Sequence, residues 1–164
     1  MVDYQSISTV LTGIGLIIAL TYYGLQIRNQ NRTRQAQLFM QLYNRYQDTF
    51  QATGLDLSGI IFKKLSGLDE YLELYESDEK FKLAMDRYYP FYEGLGVMVK
   101  EGFFSIRLVA LMWAGMTRMF YENIVEPTIE EIREYSKYPR LWSETEWVCK
   151  ELIRYLDEHP ELKT

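Results

Sequence analysis

The sequence predicts an all-α fold: one N-terminal transmembrane helix continuing into a cytoplasmic helical bundle. Three observations predict it. Residues 7–27 (ISTVLTGIGLIIALTYYGLQI) carry no charge. Beyond them, apolar side chains recur at three- and four-residue spacing, and no stretch alternates with the period of a strand. Gly, Pro and small polar residues then fall at intervals that divide the remainder into helices of ordinary length.

The 21 uncharged residues would make a helix about 30 Å long, the thickness of a bilayer's hydrocarbon core. Ser8, Thr9 and Thr12 lower its hydropathy, but hydroxyls can bond back to helix carbonyls. Tyr22 and Tyr23 fall near its C-terminal end, where rings favour the headgroup region. Arg28, Arg32 and Arg34 follow as a membrane collar, against a lone Asp3 in front. By the positive-inside rule this places a single-pass protein in the cell membrane, N-terminus outside and C-terminal domain cytoplasmic. A cleaved signal peptide would need a basic start and a small-residue cleavage site, and neither is present. The predicted division is an anchor with its collar at 1–34 and a helical domain at 35–164. Thr9/Gly13 and Gly15/Ala19 are small residues four apart, a spacing that would admit a second helix or a second copy.

The domain at 35–164 holds 15 basic and 22 acidic side chains, a net charge of −7. Anionic lipid would repel it everywhere but at the collar. Residues 34–50 place Leu38, Leu42, Tyr43, Tyr46 and Phe50 on one stripe, so this helix continues from the anchor until Gly54 and Asp56–Gly59 break it. A short helix follows over 60–65. Ser66-Gly-Leu-Asp69 reads as a capping box that opens another. Ser77, Asp78 and Glu79 start a longer helix with its stripe at Phe81, Met85, Tyr88, Tyr92, Leu95 and Val99; Pro90 should kink or divide it, and Gly102 stop it. Ser105 caps the next helix, whose inner face is expected at Leu108, Met112, Met116, Met119 or Phe120, and Ile124. Pro127 bends or restarts it. Ser143-Glu-Thr-Glu146 reads as a second capping box, opening the final helix, which His159-Pro160 ends.

Several chemistries are excluded by composition. One Cys and one His rule out an internal disulfide and the usual multi-His or multi-Cys metal centres. A net charge of −5 and a pI near 5.0 argue against nucleic acid as a partner. Gly13, Gly15, Gly94 and Gly96 lack the Lys-Ser/Thr of a phosphate loop. Glu122, Glu126 and Glu130 recur every four residues and read as a solvated acidic face, because the His partners of a di-iron bundle are missing. No catalytic constellation is found, and no cofactor is called for.

Two clusters remain as candidate sites. Glu93 falls among Tyr88, Tyr89, Phe91 and Tyr92, where it would pair with Arg118 of the next helix; Tyr88, Tyr92, Glu93 and Arg118 could line a pocket. Phe103, Phe104, Met112, Trp113 and Met116 form the softest part of the chain, and their angular spread exceeds one helix stripe. Met and aromatic residues are enriched in interface cores, so these five are expected to face a partner, unless other helices enclose them.

The stretch Tyr89-Pro-Phe-Tyr-Glu-Gly-Leu-Gly-Val-Met-Val-Lys-Glu-Gly-Phe-Phe (89–104) resembles a segment of an uncharacterised prokaryotic family of membrane-anchored helical proteins, of the DUF4760 type. Arg118–Glu122, Glu126-Pro127, Ile132-Arg133, Pro139-Arg-Leu-Trp and Glu146-Trp147 look similar too, as does the collar; residues 52–77 have no counterpart. The resemblance implies the anchored helical architecture and no activity. The function expected is a non-enzymatic accessory subunit or docking factor, with the lipid bilayer and another membrane protein, or the subunits of a membrane complex, as partners. A membrane-active stress or phage-defence effector that oligomerises, or a small-molecule sensor with a Tyr-lined pocket, are the alternatives.

Overall fold

The computed structural model describes residues 4–51 and 57–162, and every element among them is helical. They are α1 (Tyr4–Gln51), α2 (Leu57–Ile61), α3 (Leu68–Ser77), α4 (Glu79–Lys100), α5 (Ile106–Phe120), a π-helical turn (Tyr121–Val125), α6 (Glu126–Ser136), α7 (Ser143–Glu158) and a closing 3₁₀ turn (Pro160–Leu162). The chain forms two compact units, one ending at Gln41 and the other starting at Leu42.

The first unit is the N-terminal part of α1. Within Leu11–Asn44 lies a stretch long and apolar enough to cross a membrane, with a mean hydropathy of 1.2, and none of it is buried. The hydroxyls of Thr12 and Thr21 donate to the carbonyls of Ser8 and Ile17, at 2.9 and 2.8 Å, which removes two polar groups from its surface. Arg28 and Arg34 are exposed; the side chain of Arg32 lies outside the described residues.

The second unit is built on α4 and α7, which pack together most extensively, with α5 against α7 and α3 against α4. The Asp78 carboxylate caps α4, accepting from the N–H groups of Lys80 and Phe81. Gly102, at φ 73°, stops α4, and the Ser105 hydroxyl caps α5 at Leu108 N–H. Pro90 leaves α4 a single helix rather than dividing it. The core is aromatic: Phe120 stacks on Tyr88 and on Tyr92, both at 5.0 Å, and meets the Tyr89 ring edge-on at 5.3 Å.

Three local expectations change. The short helix lies at Leu57–Ile61, not 60–65; Gly54, Asp56 and the side chains of Tyr46 and Phe50 lie outside what is described. Neither capping box forms. At α3 the Leu68 N–H donates to Glu131 of α6, and Glu70 rather than Asp69 reaches back to Ser66. Phe120 and Ile124 lie on the inner side of α5 and the turn after it, as expected, but before them Val109, Trp113 and Thr117 are buried in place of Leu108, Met112 and Met116. Trp113 leaves helical backbone (φ −135°, ψ 15°), yet the buried positions keep their three- and four-residue spacing across it. Thr117 can be buried because its hydroxyl donates to the Tyr92 oxygen at 3.0 Å.

Pro127 has a definite structural consequence. It cannot donate to the carbonyl of Asn123 four residues earlier. That carbonyl instead accepts from Leu65 N–H at 2.9 Å, while the Asn123 side chain donates to the Ile61 carbonyl at 2.7 Å. The widened turn at Tyr121–Val125 thereby fastens the segment that leads into α3.

Candidate functional site

The structure does not bring the first expected cluster together around Glu93 and Arg118. Tyr88 and Tyr92 are buried in the aromatic core, and Glu93 does not meet Arg118. Arg118 lies on the outside and pairs with Glu122 at 2.6 Å along its own helix. Glu93, half-buried on α4, turns to the start of α7 and accepts from both Thr145 N–H (2.9 Å) and the Thr145 hydroxyl (3.0 Å). The local reason is that Trp142 occupies the N-cap position of α7 and has no oxygen with which to cap it. A carboxylate from another helix takes that role, and the positive end of the α7 dipole favours its charge.

The same helix start is held from two further sides. Arg133 of α6, whose side chain is only 11% exposed, donates to the Leu141 carbonyl at 3.0 Å and pairs with Glu146 at 2.8 Å. Burial would raise the Glu146 carboxyl, but Lys150 and Arg133 together hold it below the usual carboxylate range. On α4, Gly96 lets the two helices touch: a Cβ there would lie 2.4 Å from the Glu144 carbonyl oxygen. Lys100 completes the clamp, pairing with Glu144 and lying 4.7 Å from the Trp147 ring centroid.

These contacts fix Trp142 in left-handed backbone (φ 55°, ψ 33°), a conformation costly for a bulky residue. Its ring stacks on Tyr89 at 5.1 Å. There it forms one wall of a cleft of about 330 Å³, lined also by Tyr71, Leu72 and Tyr75 of α3 and by Met85, Asp86, Tyr89 and Pro90 of α4. The Tyr75 hydroxyl donates to Asp86 at 2.6 Å, and this bond above all pushes its pKa up to about 12; desolvation raises that of Tyr71. The phenols therefore stay neutral. This cleft was not legible as a site, because its residues come from three separate segments; the one local signal was the bulky Trp142 directly before a helix start.

Of the five residues expected to face a partner, Trp113 and Phe104 are interior, at 4% and 5% exposure. Trp113 meets Phe91 edge-on at 5.6 Å, so its ring is covered by this chain itself. Met116 is half-buried, while Phe103 and Met112 stay exposed, at 49% and 37%. Met112 lines a shallow groove with Ala110, Leu111, Ala114, Gly115, Glu161 and Leu162. Glu122, Glu126 and Glu130 make surface ion pairs with Arg118, Lys64 and Arg133. Burial raises the pKa of the Cys149 thiol, which is fully enclosed. Among the described residues no group of three or more His, Cys, Asp or Glu is placed to hold a metal ion.

No curated protein and no solved structure matches the chain. The model of one family, described as a domain of unknown function (DUF4760), matches residues 9–152, which take in α1 from Thr9 onward, the aromatic core, the α4–α7 clamp and the Trp142 cleft. The chain belongs to that family.

Proposed function

We propose that this protein is a single-pass, membrane-anchored docking factor, an accessory subunit whose helical domain binds a partner protein on the cytoplasmic side. The observation that carries the reading is the bare circumference of α1. Leu11, Ile14, Leu16, Ile17, Ile18, Leu20, Tyr22, Tyr23, Leu25 and Ile27 are all 50–65% exposed. At about 100° per residue they are distributed around the whole helix rather than along one stripe. A helix apolar on every side needs an apolar solvent on every side, and a bilayer supplies it where a single protein groove would not. The collar supports the cytoplasmic assignment of the domain. Docking is supported by Phe103, Leu111 and Met112, large apolar side chains left at the surface of the second unit.

Alkaline carbonate extraction and cysteine labelling test the anchor. The chain should stay with the membrane pellet, a cysteine at position 2 should label from outside, and one at position 163 should not. Release by carbonate, or external labelling at 163, overturns the reading. Purification from native membranes in mild detergent tests the docking role. A stoichiometric second protein that is lost on Met112→Asp, with the melting temperature unchanged, supports it; a homo-oligomer alone overturns it in favour of a membrane-active effector.

A further inference from the structure

We propose that the cleft between α3, α4 and Trp142 binds a small, free alkylammonium ion of the choline type. Four rings line it, stacked in two pairs, Tyr71 on Tyr75 at 5.8 Å and Tyr89 on Trp142 at 5.1 Å, and aromatic π-systems attract a cation that is weakly hydrated. One charged side chain lines it, the Asp86 carboxylate. The Tyr75 hydroxyl occupies one Asp86 oxygen, and a carboxylate has further acceptor capacity beyond a single bond. No basic residue is among those that line the cleft itself.

The cluster already attracts a cation. The Lys82 ammonium lies 5.3 Å from the Tyr75 ring centroid. A methylated ammonium sheds water more readily than the Lys82 head and gains more from the rings. The cleft volume, about 330 Å³, is at the small end for a ligand site and holds a small alkylammonium ion with room to spare. The strained Trp142 backbone fits the same reading. The chain spends conformational energy to stand this ring against Tyr89, held there by Arg133 at the Leu141 carbonyl and by Glu93 at Thr145.

The test uses the full chain in uncharged maltoside micelles, titrated with choline and followed by calorimetry and tryptophan fluorescence. Its control ligand is the isosteric alcohol in which carbon replaces the quaternary nitrogen. Choline should bind saturably, and the neutral isostere at least about tenfold more weakly, because only the cation gains from the rings and from Asp86. Asp86→Asn, an exposed position whose amide oxygen can still accept from Tyr75, should weaken choline about tenfold. Tyr75→Leu, which removes one ring, should weaken it severalfold, with the melting curve confirming that both variants fold. Phosphocholine should bind more weakly than choline, since its phosphate faces Asp86; tighter binding would overturn the assignment to a free cation. Equal affinity for the isostere, an unchanged Asp86→Asn, or no saturable signal with choline would each overturn the site.

Discussion

Gly94 and Gly96 lie two residues apart in α4, and the contact between α4 and α7 distinguishes them. Replacing either with Ala relieves the helix of a glycine, which by itself stabilises by about 0.5–1 kcal/mol. At Gly94 the new methyl meets nothing within 4 Å. At Gly96 it would lie 2.4 Å from the Glu144 carbonyl oxygen and 2.9 Å from the Glu144 carbonyl carbon and Cβ. Two of those three are backbone atoms in the first turn of α7 and cannot rotate away. The helices must separate, and the separation lengthens the bonds from Thr145 to Glu93, now 2.9 and 3.0 Å. Overpacking costs about 1–3 kcal/mol and a weakened cap about 0.5–2 kcal/mol. After the propensity gain the net loss at Gly96 is about 0.5–4.5 kcal/mol, with a central value of about 2.5 kcal/mol. At roughly 2–4 °C per kcal/mol for a chain of this size, that central loss lowers the melting midpoint by roughly 5–10 °C. Gly94→Ala should melt at or slightly above the parent. Thermal melting of the full chain in maltoside micelles, followed by helical circular dichroism, reads both. A Gly96→Ala protein that melts with Gly94→Ala would refute the close approach, and with it the account of how the Trp142 cleft is held.

Glu93→Gln removes the charge from the α7 cap but keeps an acceptor, so it should cost about 1–2 kcal/mol, and the loss should shrink when Thr145 is already Ala; a melting-based double-mutant cycle without coupling would contradict the contact. Trp113→Ala should destabilise by about 3–5 kcal/mol, the cost of emptying a core site, and a variant with parental stability would mean that the ring is not enclosed. Glu70 lies at about 2 against its ordinary 4.5, first because of its bond with Lys63 and then because of Ser66. A carboxyl lowered on folding stabilises fully above pH 4.5 and loses that contribution as the pH falls toward 2. Glu70→Gln should therefore flatten the acid side of the stability profile over that window, and an unchanged acid slope would count against the pairing.

How much was legible follows from how far each cause reaches along the chain. Asp78, Gly102, Ser105 and His159-Pro160 end or begin helices through atoms within a few residues of themselves, and the local pattern identified each correctly. The apolar run of α1 and the absence of strand periodicity are likewise local. Where a second segment supplies the decisive atom, spacing was silent or misleading. Ser66 and Ser143 look like caps, yet Glu131 and Glu93 arrive from other helices to take the N–H groups. Glu93 and Arg118 look like a pair, yet each has a different partner, Thr145 across the fold and Glu122 along the helix.

The sequence by itself determined the helical class, the uncharged N-terminal helix with its arginine collar, and the aromatic content of the core. Those rest on hydropathy, backbone propensity and the i, i+4 spacing of one helix. Tertiary structure alone decided that Trp113 and Thr117 of α5 turn inward, since Phe91 and the Tyr92 hydroxyl of α4 receive them. It alone decided that Trp142 adopts left-handed backbone beside Tyr89, because only Arg133, Glu93 and Gly96, from two other helices, hold the start of α7 in place. A strained residue is stable only where its surroundings over-determine it, and those surroundings are assembled by the fold.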